Sequence, residues 1–214
     1  MRSSLLILFA LISTMTLTQS QPIKFLALGD SYTIGESVKE NERWPMQLAE
    51  ELKKQGKKIG KPHIIATTGW RTDDLKKAIQ AANLKPEYQL VSLLIGVNNQ
   101  YQGKSAESYA PEFEELLNMA IVLAGGKKEN VFVVSIPDYG FTPFGKPKQA
   151  QISQALDEFN AINKTITEKA GVRYFNITNI SRKGLEQPDL VADDSLHPSG
   201  KQYKLWAERI AKGF

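Results

Sequence analysis

The stretch Ile23-Lys24-Phe25-Leu26-Ala27-Leu28-Gly29-Asp30-Ser31-Tyr32 decides how this chain reads. A short apolar run stops at a glycine, and a polar Asp-Ser turn follows at once. Near-continuous apolarity over so few residues predicts a strand covered on both faces, as inside a parallel sheet. Four more runs have the same form: Ile64 to Ala66, closing near Gly69; Leu90 to Ile95, closing at Gly96; Val131 to Ile136, closing at Pro137; and a weaker one, Val172 to Ile177.

Helical stripes separate these runs. Leu48 and Leu52 share a face of a helix starting near Trp44-Pro45, and Leu75 and Ile79 mark the next. Phe113, Leu116, Leu117, Ala120, Ile121 and Ala124 follow the i, i+3, i+4, i+7 rule, and Gly125-Gly126 is a natural stop. Ile152, Leu156, Phe159, Ile162 and Ile166 form another stripe; Tyr203, Trp206 and Ile210 form the last. The strand–helix alternation predicts an α/β fold, a three-layer α/β/α sandwich on a mostly parallel five-stranded sheet with right-handed crossovers. No repeat or linker divides residues 21–214, which read as one domain. Ligands of such sheets lie outside the carboxyl ends of the strands.

Composition narrows the function. The chain has 214 residues, with 27 basic against 23 acidic and a formal charge of +4. Its lysines fall in pairs such as Lys53-Lys54 and Lys127-Lys128, a solvated pattern that argues against a nucleic-acid partner. There is no cysteine and there are two histidines, so disulfides, thiolate metal sites and a lipid-bearing cysteine are excluded, and neither metal nor cofactor is expected. Residues 1–20 read as a signal peptide: Arg2, an uncharged apolar stretch from Leu5 to Leu17, then Thr18-Gln19-Ser20 before a cleavage point. The apolar part falls short of the ~20 residues of a membrane span. An uncleaved anchor is the alternative. The expectation is a secreted or periplasmic protein with no stable membrane anchor. Asn163, Asn176 and Asn179 begin glycosylation sequons that matter only in a glycosylating host.

Two segments carry chemistry. Gly29-Asp30-Ser31 follows the first strand, so Ser31 sits where a strand turns toward a helix; alone, the tripeptide is as good a turn as a site. Asp194-Ser195-Leu196-His197-Pro198 precedes the last helix. A serine hydroxyl needs a base to become a nucleophile, and histidine is the usual one. A carboxylate three residues earlier can hold the other ring nitrogen. Asp194 has that spacing, with Asp193 as the alternative. The other histidine, His63, falls at the amino end of the second strand, the wrong edge for catalysis. Gly69 after strand two and Asn98 after strand three offer a backbone N–H and a side-chain amide to a developing oxyanion, beside the N–H of Ser31 itself. Each has a plainer reading as a turn or cap, but all fall on the carboxyl side of the sheet.

These blocks resemble the SGNH hydrolases, also called GDSL esterases and lipases. Gly29-Asp30-Ser31, Ala66-Thr67-Thr68-Gly69, Gly96-Val97-Asn98 and Asp194-Ser195-Leu196-His197-Pro198 stand in the family's order across the chain. Tyr32 replaces the leucine common after Gly-Asp-Ser, and Asn99 stands where aspartate usually follows the asparagine. The runs Asn98-Asn99-Gln100-Tyr101 and Ile136-Pro137-Asp138-Tyr139-Gly140 look like a bacterial lysophospholipase-like branch. The resemblance implies a flavodoxin-like fold and ester hydrolysis, with Ser31, His197 and Asp194 as triad and Ser31, Gly69 and Asn98 around the oxyanion. The substrate would be a small-molecule or glycan ester. A glycan deacetylase or an acyltransferase using the same serine is the alternative, and a non-catalytic binding protein on the same scaffold is disfavoured because none of the four residues is lost. Tyr139, Phe141 and Phe144 after strand four are candidates for an acyl pocket or for loop anchors. A short or medium acyl chain is expected, and the oligomeric state is not readable.

Overall fold

A computed structural model describes residues 21–214. The predicted signal peptide lies outside the described residues. Five strands form a single sheet: β1 (Phe25–Gly29), β2 (His63–Ala66), β3 (Leu90–Leu94), β4 (Val131–Val134) and β5 (Arg173–Phe175). All pairings are parallel, and the order is β2-β1-β3-β4-β5. β1, β3 and β4 are buried along their whole length, which is why each reads as a nearly unbroken apolar run, with Ser92 in β3 as the polar exception. β5, like β2, is an edge strand, and it is only half-buried. There Arg173 lies 3.9 Å over the ring of Phe214, so the edge uses a cation and an aromatic where inner strands use aliphatics.

Helices cover both faces. α2 (Trp44–Lys54) packs on α8 (Gly200–Ala211). On the other side α5 (Ala106–Leu123) lies between α3 (Thr72–Ala81) and α6 (Gln149–Lys169). Trp44 and Trp206 are fully buried, and the rings of Phe25, Trp44, Phe132, Phe175 and Phe214 follow one another at 5.6–6.3 Å. Local chemistry sets the helix ends. Ser105 caps α5 by accepting from the Ser108 N–H at 3.2 Å. Gly125 and Gly126 close α5 with positive φ, and Gly126 N–H reaches back to Ile121 O at 2.9 Å. Among the described residues no helix is long and apolar enough to cross a membrane.

From β1 the chain moves outward to β2, then crosses back to β3 on the other side of β1. The loops leaving β1 and β3 therefore diverge at their carboxyl ends, where Gly29 pairs with Leu94. Such a reversal of strand order opens a crevice for a ligand. Two one-turn helices stand there: α1 (Ser31–Ile34) after β1 and α4 (Val97–Tyr101) after β3. A third short helix, α7 (Thr178–Ser181), follows β5.

Candidate active site

Ser31 owes its place to the turn before it. A Cβ on Gly29 would lie 2.2 Å from Thr33 Oγ1 and 2.5 Å from Leu94 O, so only glycine lets the chain turn this close to β3. Asp30 caps the turn: its Oδ1 accepts from the Tyr32 N–H at 3.0 Å. Asp30 is fully buried, and its Oδ2 has no hydrogen-bond partner among the described residues. Burial disfavours the charged form and pushes this carboxyl up to about 7, against the Tyr32 N–H and its own backbone, which both pull it down.

The Asp194–His197 loop is clamped at its base. Val191 and Pro198 form an antiparallel bridge, and Ala192 N–H donates to His197 O at 2.8 Å. Ser195 takes the left-handed conformation, φ 65°, at the tip. Asp194 Oδ1 accepts from the Leu196 and His197 N–H groups, both at 2.9 Å. Its Oδ2 accepts from Ser37 Oγ at 2.5 Å and lies 2.6 Å from His197 Nδ1. Burial alone would raise the Asp194 carboxyl. Hydrogen bonds from Ser37, from the His197 backbone and ring, and from the Leu196 N–H outweigh it and hold the group at about 2. An ionised acceptor there assigns the ring proton to Nδ1, leaving Nε2 as an acceptor. Asp193 is exposed and does not touch the ring. The buried ring of His197 also meets Tyr32 edge-on, with centroids 5.8 Å apart.

Gly69 is exposed, with φ 85°. A Cβ there would meet nothing within 4 Å, so backbone conformation, not space, calls for glycine. Asn98 lies on α4, behind Gly96, whose φ of 128° brings it against Tyr109. One N–H of the Asn98 amide donates to Trp70 O at 2.9 Å, tying α4 to the Gly69 loop. Asn99 points the other way and is buried. Its Oδ1 accepts from Thr72 N–H at 3.1 Å, and its Nδ2 donates to Thr72 Oγ1 at 2.6 Å and to Glu112 Oε2 at 3.2 Å. An amide both accepts and donates there, joining α4 to α3 and α5; an aspartate would face the Glu112 carboxylate.

Ser31, Gly69, Asn98 and His197 share one cavity of about 280 Å³ at the carboxyl edge of the sheet. Asp194 stands behind His197. Ser31 and His197 both face the cavity, with no direct hydrogen bond between them. Tyr32, Thr68, Val97, Tyr101, Tyr139, Phe144 and Leu196 complete the wall. The expected aromatic trio is divided: Tyr139 and Phe144 line the cavity, and Phe141 does not. They lie on the loop after β4, whose 3₁₀ turn (Tyr139–Phe141) sends residues two apart to different sides. That loop hangs on Asp138, a buried carboxylate that accepts from Gly140 N–H at 2.9 Å, Ser153 Oγ at 2.7 Å and Arg182 Nε at 2.9 Å. His63 is exposed at the start of β2 and bonded to Tyr88 OH at 2.9 Å, away from this edge. Tyr101, Val97 and Leu196 were not marked by sequence as wall residues; their proximity to Asn98 and His197 was the available signal. Nothing in the sequence pointed to Ser37 as a partner of Asp194.

A parallel α/β/α sandwich whose first and last catalytic-type motifs meet at its carboxyl edge defines an SGNH-type hydrolase. The chain belongs to the GDSL-like lipase/acylhydrolase family, whose model matches residues 27–205, and it is with that family an ester-hydrolysing enzyme. Solved structures share the fold. A lipolytic G-D-S-L protein from Veillonella parvula superposes with a TM-score of 0.68 at 17% identity, over 90% of this chain and 98% of its own. A psychrotrophic esterase from Pseudoalteromonas sp. gives 0.64 at 18%, over 88% and 94%. A carbohydrate acetylesterase from Sinorhizobium meliloti gives 0.64 at 18%, over 90% and 98%. No curated protein matches the chain.

Proposed function

We propose that this enzyme hydrolyses carboxylic esters of short or medium acyl chain through a Ser31–His197–Asp194 triad. The observation that carries the reading is the 2.6 Å pair of Asp194 and His197 beside a cavity that also holds Ser31. Ser31 Oγ attacks the carbonyl carbon as its proton passes to His197 Nε2. The alcohol leaves with that proton, and an acyl group remains on Ser31. Water then attacks the acyl carbon, gives a proton to Nε2, and the acid departs as Ser31 regains its hydrogen. Asp194, kept anionic by four hydrogen bonds, steadies the imidazolium in each step. The N–H groups of Ser31 and Gly69 and the remaining N–H of the Asn98 amide serve the oxyanion.

A cavity of about 280 Å³ lies at the small end of ligand sites, which run from ~300 to 1,000 Å³, and this supports a short acyl group. The leader-like residues 1–20 support action outside the cytoplasm, and amino-terminal sequencing of the exported protein tests it. The main experiment is hydrolysis of p-nitrophenyl acetate, butyrate and palmitate by residues 21–214 beside Ser31→Ala. The substitution lowers kcat by ~10⁶ if the serine is the nucleophile. An unchanged rate overturns the mechanism. Turnover of palmitate equal to butyrate overturns the acyl preference.

A further inference from the structure

Tyr101, Tyr139 and Phe144 do more than close the Ser31 cavity: the same three rings form one side of a second cavity of about 470 Å³. They pack on one another, with centroid separations of 6.1 Å for Tyr101–Tyr139, 6.3 Å for Tyr101–Phe144 and 6.4 Å for Tyr139–Phe144. Yet Tyr101 is 59% exposed and Phe144 49% exposed, two of only three large hydrophobic side chains so exposed among the described residues. The cluster is braced. Phe144 N–H donates to Ser195 O at 3.1 Å on the histidine loop, and Tyr139 OH donates to Gln100 Oε1 at 3.0 Å. A fixed aromatic ridge at the mouth of a catalytic cavity is a contact surface left uncovered by the core.

The far side of the ridge mixes polar and apolar groups. Gln100, Gln151 and Lys148 line the second cavity together with Pro147 and Ile152, beside the close-packed backbone of Gly145. Gln100 spends its oxygen on Tyr139 and keeps its amide N–H groups for another acceptor. An alkyl chain laid here would strip water from two amides and an ammonium with nothing to replace it. A ring with a C–H face and hydroxyl edges suits the surface: the face lies on the aromatic rings, and the hydroxyls meet the amides.

We propose that this second cavity binds the alcohol half of the ester, and that the alcohol is a saccharide. It packs on Tyr101 and Phe144 and hydrogen-bonds to Gln100 and Gln151, while the short acyl group occupies the Ser31 cavity. The proposal rests on the reading of Ser31 as the nucleophile.

The test compares kcat/KM on 6-O-acetylcellobiose, ethyl acetate and ethyl octanoate for the full enzyme and for Tyr101→Ala, Phe144→Ala and Gln151→Ala. The enzyme favours the saccharide ester over ethyl acetate by tenfold or more. That ratio falls at least tenfold in each aromatic variant and about threefold in Gln151→Ala. Calorimetric titration of cellobiose into Ser31→Ala shows binding that Tyr101→Ala added to Ser31→Ala removes, a readout that needs no turnover. No preference in the wild type, or a ratio unmoved in all three variants, overturns the proposal. A preference for ethyl octanoate, lost in the aromatic variants, overturns it by making the second cavity an acyl site. Full activity of Ser31→Ala on every ester refutes the serine mechanism instead, and cellobiose binding then still decides the saccharide site.

Discussion

Asp30 offers a measurement that links the turn under Ser31 to pH. Its carboxyl rises from the ordinary 3.8 to about 7 because it is buried. Below about pH 4 it carries a proton whether the chain is folded or unfolded. Between about pH 4 and 7 only the folded chain keeps that proton, so stability falls as pH rises. Above about pH 7 both states are ionised, and the full loss is about 4 kcal/mol, taken at 1.36 kcal/mol per tenfold change. Asp30→Asn keeps an Oδ1 for the Tyr32 N–H and cannot ionise. Urea unfolding of both proteins at pH 5, 6, 7 and 8 checks this. The wild type loses about 3 kcal/mol relative to the variant between pH 5 and 8. Asp194, held at about 2, titrates below this window and does not blur it. Parallel stability curves for the two proteins would refute the account of Asp30 as a carboxyl driven upward by burial.

Other substitutions probe the site piece by piece. Asp194→Asn removes the anion that fixes the Nδ1 proton and lowers kcat ~10⁴-fold, with circular dichroism unchanged. Asn98→Ala lowers kcat by ~10²–10³, with a smaller change in KM, by steady-state kinetics on p-nitrophenyl butyrate. Gly145→Ala would put a Cβ 1.9 Å from Tyr139 O, so the loop carrying Tyr139 and Phe144 must shift. At ~1–3 kcal/mol for such overpacking, thermal unfolding falls by roughly 3–10 °C.

The sheet was legible because burial on both faces leaves little room for polar residues, Ser92 being the one inside β1, β3 and β4. Phe25 to Leu28, Leu90 to Leu94 and Val131 to Val134 each wrote their burial directly into the sequence. β5 was the faint one, as an edge strand has to satisfy only one side fully. The site was legible where chemistry demands a residue type at short range: the Asp194–His197 spacing needs only one loop. Long-range partners leave no such trace. Ser37 reaches Asp194 across 157 residues, and a serine in a loop looks like any other. Asn99 was visible as a departure, but its bonds to Thr72 and Glu112 depend on how α3 and α5 pack. Phe141 and Phe144 are the same residue type three positions apart, and only the geometry of the turn separates them.

The α2–α8 packing has a temporal consequence. Ser31 belongs to the start of the sheet, and His197 immediately precedes α8, which docks on α2. A ribosome finishes the turn that carries Ser31 long before it makes His197, its base on the proposed mechanism. A nascent or truncated chain that stops before His197 thus holds the proposed nucleophile without its proposed base. On the proposed mechanism, the serine therefore stays without its base until nearly the whole chain has been made, and α8 then docks behind the histidine onto α2.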